Sequence, residues 1–199
     1  MPGPDGALGW YSPDPRGILP LDRFHVSRRL ARVLRANGLE VTFDLAFDDV
    51  IAGCASRGGD GDWINGEIVE SYTALHHAGF AHSVETWQSG QLVGGVYGVA
   101  LGGAFFGESM FHRVTDASKV ALSGLVDRLR RRQFRLLDIQ WLTPHLVRLG
   151  AVEVPRARYL ELLETAATCD YGFGPRAAAA TPEADSRGAP ALSARPPLP

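Results

Sequence analysis

His82-Ser83-Val84-Glu85-Thr86-Trp87, followed by Ser89-Gly90 and by Leu92-Val93-Gly94-Gly95-Val96-Tyr97-Gly98-Val99-Ala100, reads as a β-hairpin. The first run alternates in polarity, the Ser-Gly pair supplies the turn, and the second run is apolar and β-branched. Gly102-Gly103 turns the chain once more into a strand at Ala104 to Phe106. The centre of the molecule is therefore expected to be an antiparallel meander. The uncharged stretch from Gln91 to Gly107 is broken by glycines and falls short of the ~20 apolar residues of a bilayer span, which excludes it as a membrane helix.

Helices are expected on both sides of this meander. Ser27 is placed to cap a helix with Leu30, Val33 and Leu34 on one face and Arg28, Arg32 and Arg35 on the other, and Asn37-Gly38 supplies its stop. A strand is expected at Glu40 to Asp44 and a helix from about Asp48 to Cys54. A Gly- and Asp-rich loop, Arg57 to Asp62, then delivers Trp63, and Asn65 caps a helix that ends at Gly79. Asp116 or Ser118 opens a helix with Val120, Leu122, Leu125, Val126 and Leu129 inward, which feeds a β-rich run at Arg135 to Ile139. Thr143-Pro144 reads as a cap with a first-turn proline, and Pro155 starts a last helix to about Ala167. This pattern is that of a mixed α/β (α+β) domain. Ala, Pro, Gly, Ser and Arg dominate from about Tyr171, so a disordered tail is expected there.

A chain of 199 residues, 45% hydrophobic, is long enough for one buried core. Its net charge of -2 conceals arginine clusters at Arg28 to Arg35 and Arg128 to Arg135, so a nucleic-acid partner is not excluded. Met1 to Gly6 has neither a basic nor an apolar leader region, and a cytoplasmic protein with no membrane partner is expected. Cys54 and Cys169 are the only cysteines, and no Cys/His spacing suits a metal. No cofactor is indicated either, because the glycines at 94, 95, 98, 102 and 103 do not form a dinucleotide fingerprint.

Two stretches set ionisable groups beside apolar ones: Gly107-Glu108-Ser109-Met110-Phe111 and Asp138-Ile139-Gln140. Asp138 and Gln140 lie two apart on a predicted strand and are expected to project from one face. On the residues alone they are either structural hydrogen-bond partners or a site. Val96 and Met110 are likewise core strand or pocket wall, and the arginine face is solvated or RNA-binding. A serine elbow at Ser109 is rejected because its closing glycine is absent. His76, His77, His112 and His145 show no triad or metal spacing and read as surface or satisfied core histidines.

Together with Trp10-Tyr11-Ser12-Pro13-Asp14-Pro15-Arg16, Trp63-Ile64, Ala117-Ser118-Lys119 and Leu149-Gly150-Ala151, these segments make the chain resemble bacterial leucyl/phenylalanyl-tRNA-protein transferases from about Trp10 to about Leu163. The resemblance implies an acetyltransferase-like (GNAT-type) fold, with a central, largely antiparallel sheet flanked by helices. It also implies transfer of Leu or Phe from leucyl-tRNA or phenylalanyl-tRNA to proteins beginning with Arg or Lys, marking them for degradation. Asp138 and Gln140 match the family's Asp-x-Gln, thought to draw the proton from the acceptor amine, with Asp acting electrostatically and Gln as the hydrogen-bonding intermediary. Glu108, Ser109 and Met110 match the donor-site motif, with Val96 in the same apolar pocket. Trp63 resembles a tryptophan that stacks on the terminal adenosine, and Arg28, Arg29, Arg32 and Arg35 are placed to hold the acceptor stem.

The family carries several dozen residues ahead of Trp-Tyr-Ser-Pro, including an aromatic for the other side of that adenosine, whereas nine residues precede Trp10 here. The expected organisation is an N-terminal remnant at 1–22, the catalytic domain at 23–168 and the tail at 169–199. A lost stacking surface would cost about 1–3 kcal/mol, which leaves a catalytically impaired, tRNA-binding relative as the alternative. A peptidoglycan-bridge ligase is disfavoured because a chain of this length lacks the duplicated domain of those enzymes.

Overall fold

The computed structural model describes residues 11–36, 38–57, 63–169 and 172–174. Along them run β1 (Arg16–Ile18), α1 (Arg28–Arg35), β2 (Glu40–Phe43), α2 (Phe47–Ala55), α3 (Gly66–His77), β3 (Ala81–Gln88), β4 (Gln91–Leu101), β5 (Ala104–His112), α4 (Ala117–Arg131), β6 (Leu136–Gln140), α5 (Pro144–Val147), β7 (Val152–Val154) and α6 (Arg156–Ala167). The strands form one sheet in the order β2-β3-β4-β5-β6-β1-β7. Only β5 and β6 pair in parallel, and α4 is the crossover that a parallel pair requires. The chain is a mixed α/β protein with a mostly antiparallel sheet.

Local sequence explains most of these elements. Ser89 and Gly90 both adopt positive φ (51° and 76°), as a two-residue hairpin turn of the favoured twist demands. The Ser27 hydroxyl accepts from the Leu30 N–H at 3.2 Å, and the Asn65 side chain accepts from Ile68 at 2.9 Å, so both caps act as their residue types suggest. Thr143 caps α5, with Pro144 in its first turn. Asp116 stands at the N-cap of α4 but makes no capping bond. Its carboxylate accepts instead from Lys119 and, at 3.0 Å, from Arg29 of α1. Asn37 and the loop at 58–62 lie outside the described residues.

The core has two main layers. Val120, Leu122, Leu125, Val126 and Leu129 of α4 pack on Val84, Val96, Phe105 and Leu137 of the sheet. On the other face, Phe47, Val50 and Ile51 of α2 pack with Ala81, Tyr97 and Phe111. Gly94 permits the first approach, because a Cβ there would lie 2.7 Å from the Ala117 Cβ. A smaller cluster under α6 contains Ile18, Ala104, Leu136 and Tyr159.

Three features depart from the sequence reading. β5 runs on to His112 instead of stopping at Phe106, because β4 pairs with it as far as Gly94↔His112. Residues 16–22, assigned from sequence to an N-terminal remnant, include β1, which lies in the sheet between β6 and β7, and Leu19, which is part of the core. Phe173, beyond the last helix, is 2% exposed and packs against Phe105, Phe134 and the His82 ring. Among the described residues no helix is long and apolar enough to cross a membrane.

Candidate active site

β5 and β6 pair only from Ala104↔Leu136 to Phe106↔Asp138 and then part. A cavity of about 390 Å³ occupies the gap. Glu108, Ser109 and Met110 line it from β5, and Ile139, Gln140 and Trp141 line it from the end of β6. Leu122 and Leu125 of α4, with Val96 and Leu137, make an apolar floor, and Trp63 and His145 complete the wall. The Arg57 guanidinium donates to the Met110 carbonyl at 2.8 Å, in the part of β5 that β6 no longer pairs. The volume and the ratio of apolar surface to a few polar groups suit a small side chain with a reactive head group.

Gln140 reaches this wall by leaving strand geometry. Its φ is +58°, and Trp141 N–H donates to the Ile139 carbonyl at 2.7 Å, so Gln140 is the apex of a three-residue γ-turn of the rarer, strained hand. A non-glycine residue in this region costs on the order of 1–3 kcal/mol and persists only where its surroundings enforce it. They do so here: Gly17 of β1 lies against the turn, and a Cβ on it would come within 3.0 Å of the Trp141 carbonyl carbon.

Asp138 behaves differently from its sequence expectation. It is fully buried and does not line the cavity. Its carboxylate accepts from Arg16 (Nη2 to Oδ2 2.8 Å, Nε to Oδ1 3.1 Å), from the Tyr159 hydroxyl (2.6 Å) and from the Gln140 backbone N–H (2.8 Å). The two side chains therefore do not enter the site as a pair. With its oxygens occupied by these donors, Asp138 cannot also take a substrate ammonium directly. The Arg16 guanidinium would be weakened by burial, but Asp138 more than compensates and raises its pKa. Burial first, and then the Asp138 carboxylate, pushes the Tyr159 hydroxyl well above its ordinary range.

Glu108 is the carboxyl that faces the cavity. Burial pushes its pKa up to about 7; the Tyr72 hydrogen bond and Arg16 oppose that rise, and the neighbouring Asp138 charge adds to it. Near neutral pH it thus takes up and releases a proton easily. Beside it, the Tyr97 hydroxyl is buried with no hydrogen-bond partner among the described residues. Burial also lowers the pKa of His145, so this ring is neutral at pH 7.

Trp63 is half-buried at the cavity, edge-on to Tyr72 with ring centroids 6.3 Å apart. Trp141, 44% exposed, packs edge-on against Tyr11. Arg28, Arg29, Arg32 and Arg35 are exposed on α1 and do not line the cavity, and Arg29 is ion-paired to Asp116. The structure thus brings Glu108, Ser109, Met110, Val96, Gln140 and Trp63 together. It sets Asp138 behind them and the arginines apart. Sequence reasoning missed Arg16, Tyr159, Tyr72, Arg57 and Trp141 and passed over His145. Two of these carried a usable local signal: Arg16 closes the Trp10–Arg16 run, and Trp141 is an aromatic directly after Asp-Ile-Gln.

The profile of a family described as leucyl/phenylalanyl-tRNA protein transferase matches residues 18–164. The chain is 60% identical over 162 residues to a leucyl/phenylalanyl-tRNA--protein transferase of Ruegeria pomeroyi, covering 81% of this chain and 76% of that one. It is 53% identical over 170 residues to the protein of the same name from Herpetosiphon aurantiacus, covering 85% and 88%. Among solved structures it is similar to the PaiA N-acetyltransferase of Thermoplasma acidophilum in complex with coenzyme A, with a TM-score of 0.38 and 9% identity over 48% of this chain and 74% of that one.

Proposed function

The chain belongs to the leucyl/phenylalanyl-tRNA-protein transferase family, and we propose that its cavity is where leucine or phenylalanine passes from leucyl- or phenylalanyl-tRNA to the α-amine of a protein beginning with Arg or Lys. The protein is an aminoacyltransferase that moves an aminoacyl group from tRNA to protein. In this reading the product begins with Leu or Phe and is marked for degradation.

The acceptor nitrogen attacks the ester carbonyl. The amide C–N bond forms, the C–O bond to the terminal ribose breaks, the ammonium gives up its proton, and a proton ends on the ribose oxygen. An α-amine has a pKa near 7.7 to 8.0, so roughly a tenth is already neutral at pH 7. The chemistry therefore needs alignment more than a strong base. Glu108, poised at about 7, is matched to take the amine's proton. Gln140 offers its side-chain carbonyl as acceptor to the amine N–H and orients the nitrogen lone pair toward the ester. Met110, Val96, Leu122 and Leu125 receive the Leu or Phe side chain, where a charged side chain would lose its hydration without compensation. Ser109 offers a hydroxyl at the same wall to the donor. Trp63 stacks on the terminal adenosine, a contact of about 1–3 kcal/mol, and the α1 arginines hold acceptor-stem phosphates. Asp138 contributes a fixed charge behind the site.

The observation that carries this reading is that one apolar cavity holds both Glu108, which exchanges a proton near neutrality, and Gln140, forced out of strand geometry onto the wall. The test mixes the protein with phenylalanyl-tRNA and a peptide beginning with Arg and follows the peptide by mass spectrometry. A gain of one phenylalanine that disappears in Gln140→Ala is expected. No gain with the unaltered chain, or an undiminished gain in Gln140→Ala, would sink the reading.

A further inference from the structure

Arg16 and Tyr159 come from opposite ends of the described chain, on β1 and α6, and meet on one carboxylate. The Arg16 guanidinium also lies over the Tyr159 ring, 5.1 Å from its centroid, so the two donors brace each other. Neither lines the cavity. The carboxylate passes their constraint on through the bond from Gln140 N–H to Asp138 Oδ1 at 2.8 Å. An N–H at the end of a strand ordinarily pairs with the next strand or with water. Here a side chain two residues earlier takes it, and that bond belongs to the turn in which Gln140 holds φ +58°.

We propose that Arg16 and Tyr159 are positioning residues for the transfer reaction: by immobilising the Asp138 carboxylate they fix the Gln140 backbone, and with it the Gln140 side chain, at the cavity wall. The inference rests on the reading of Gln140 given above. It assigns Asp138 a mechanical task alongside its charge. Arg16 alone among these donors bonds both oxygens, Nε to Oδ1 and Nη2 to Oδ2, and so fixes the plane of the carboxylate, which a single-point ammonium cannot do. The raised hydroxyl pKa of Tyr159 keeps that group a donor throughout the working pH range.

Tyr159→Phe and Arg16→Lys test the proposal, because the first removes one hydroxyl from a ring that stays packed and the second keeps the charge while losing the fork. Three quantities are measured: thermal stability, kcat and KM with phenylalanyl-tRNA and an Arg-peptide, and hydrogen exchange of the Gln140 amide by NMR. Both variants are expected to stay folded and to lose about ten- to a hundredfold in kcat, the scale of a small misplacement of a reacting group. KM for the aminoacyl-tRNA should stay within about twofold. The Gln140 amide should exchange about tenfold faster while those of Leu136 and Leu137 keep their protection. Unchanged kcat and unchanged Gln140 exchange in both variants, with Gln140→Ala inactive, would overturn the proposal. So would full activity in Arg16→Lys, which would reduce the role of Arg16 to its charge. Amide exchange reads positioning without any turnover, so an inactive wild type would count against the transfer reading and leave exchange to decide this one.

Discussion

Glu108→Gln should stabilise the folded protein at alkaline pH while abolishing most of its transfer activity. The Glu108 carboxyl is moved from 4.5 to about 7 by burial, with the Asp138 charge adding to the rise and Tyr72 and Arg16 opposing it. Because the folded state holds this proton more tightly, stability is fully present below about pH 4.5. It falls as the unfolded chain ionises and the folded one does not, and the loss is complete above about pH 7. At about 1.4 kcal/mol per pH interval, the ionised carboxylate costs the fold about 3 kcal/mol. Gln has the same shape, retains a partner for Tyr72 and carries no charge. The variant should therefore match the wild type near pH 4.5 and exceed it by about 3 kcal/mol at pH 8, or roughly 6–12 °C in Tm for a chain of this size. Calorimetric unfolding of both proteins at several pH values between 4.5 and 8 measures the difference, in which all other carboxylates cancel. A difference that does not grow with pH, or a wild type that is the more stable at pH 8, would refute the reasoning.

Two further outcomes are expected. Phe173→Ala removes a ring packed on Phe105, Phe134 and His82 and overlain by the Arg128 guanidinium at 4.8 Å; it should cost about 3–5 kcal/mol in denaturant unfolding, with a smaller value showing that the post-helical segment is not part of the core. Replacing Arg28, Arg32 and Arg35 together by Ala should raise KM for aminoacyl-tRNA and flatten its log–log dependence on salt by about 2 to 3 while leaving kcat at saturation intact; an unchanged slope would remove α1 from the tRNA surface.

The elements legible in sequence are those whose stabilising contacts are local. The Ser27 and Asn65 caps bond three residues ahead, and the Ser89-Gly90 turn needs only its own two positive φ values. The sheet's centre followed from alternation and glycine spacing. The three-residue strands β1 and β7 left no such trace, since neither has an internal period and each forms only because β6 and its neighbour supply partners. Phe173 lay in a compositionally tail-like segment, and a single aromatic has no pattern to announce that a groove awaits it.

The site divides along the same line. Glu108, Ser109, Met110, Gln140 and Trp63 were named by the sequence through its resemblance to the family, since their residue types alone left a structural role open, and the family profile matched the same stretch of chain. What those residues do was decided by the fold. The parting of β5 and β6 after Phe106 and Asp138 opens the cavity. Desolvation there, and not the residue type, sets the proton affinity of Glu108 near neutrality. Asp138, expected to project beside Gln140 from one face of its strand, instead has its oxygens occupied by Arg16, 122 residues away, and Tyr159. Covalent identity fixes which groups a chain can bring to a reaction; which of them meet water, substrate or one another depends on contacts between segments distant in sequence, and these exist only once the sheet has closed around them.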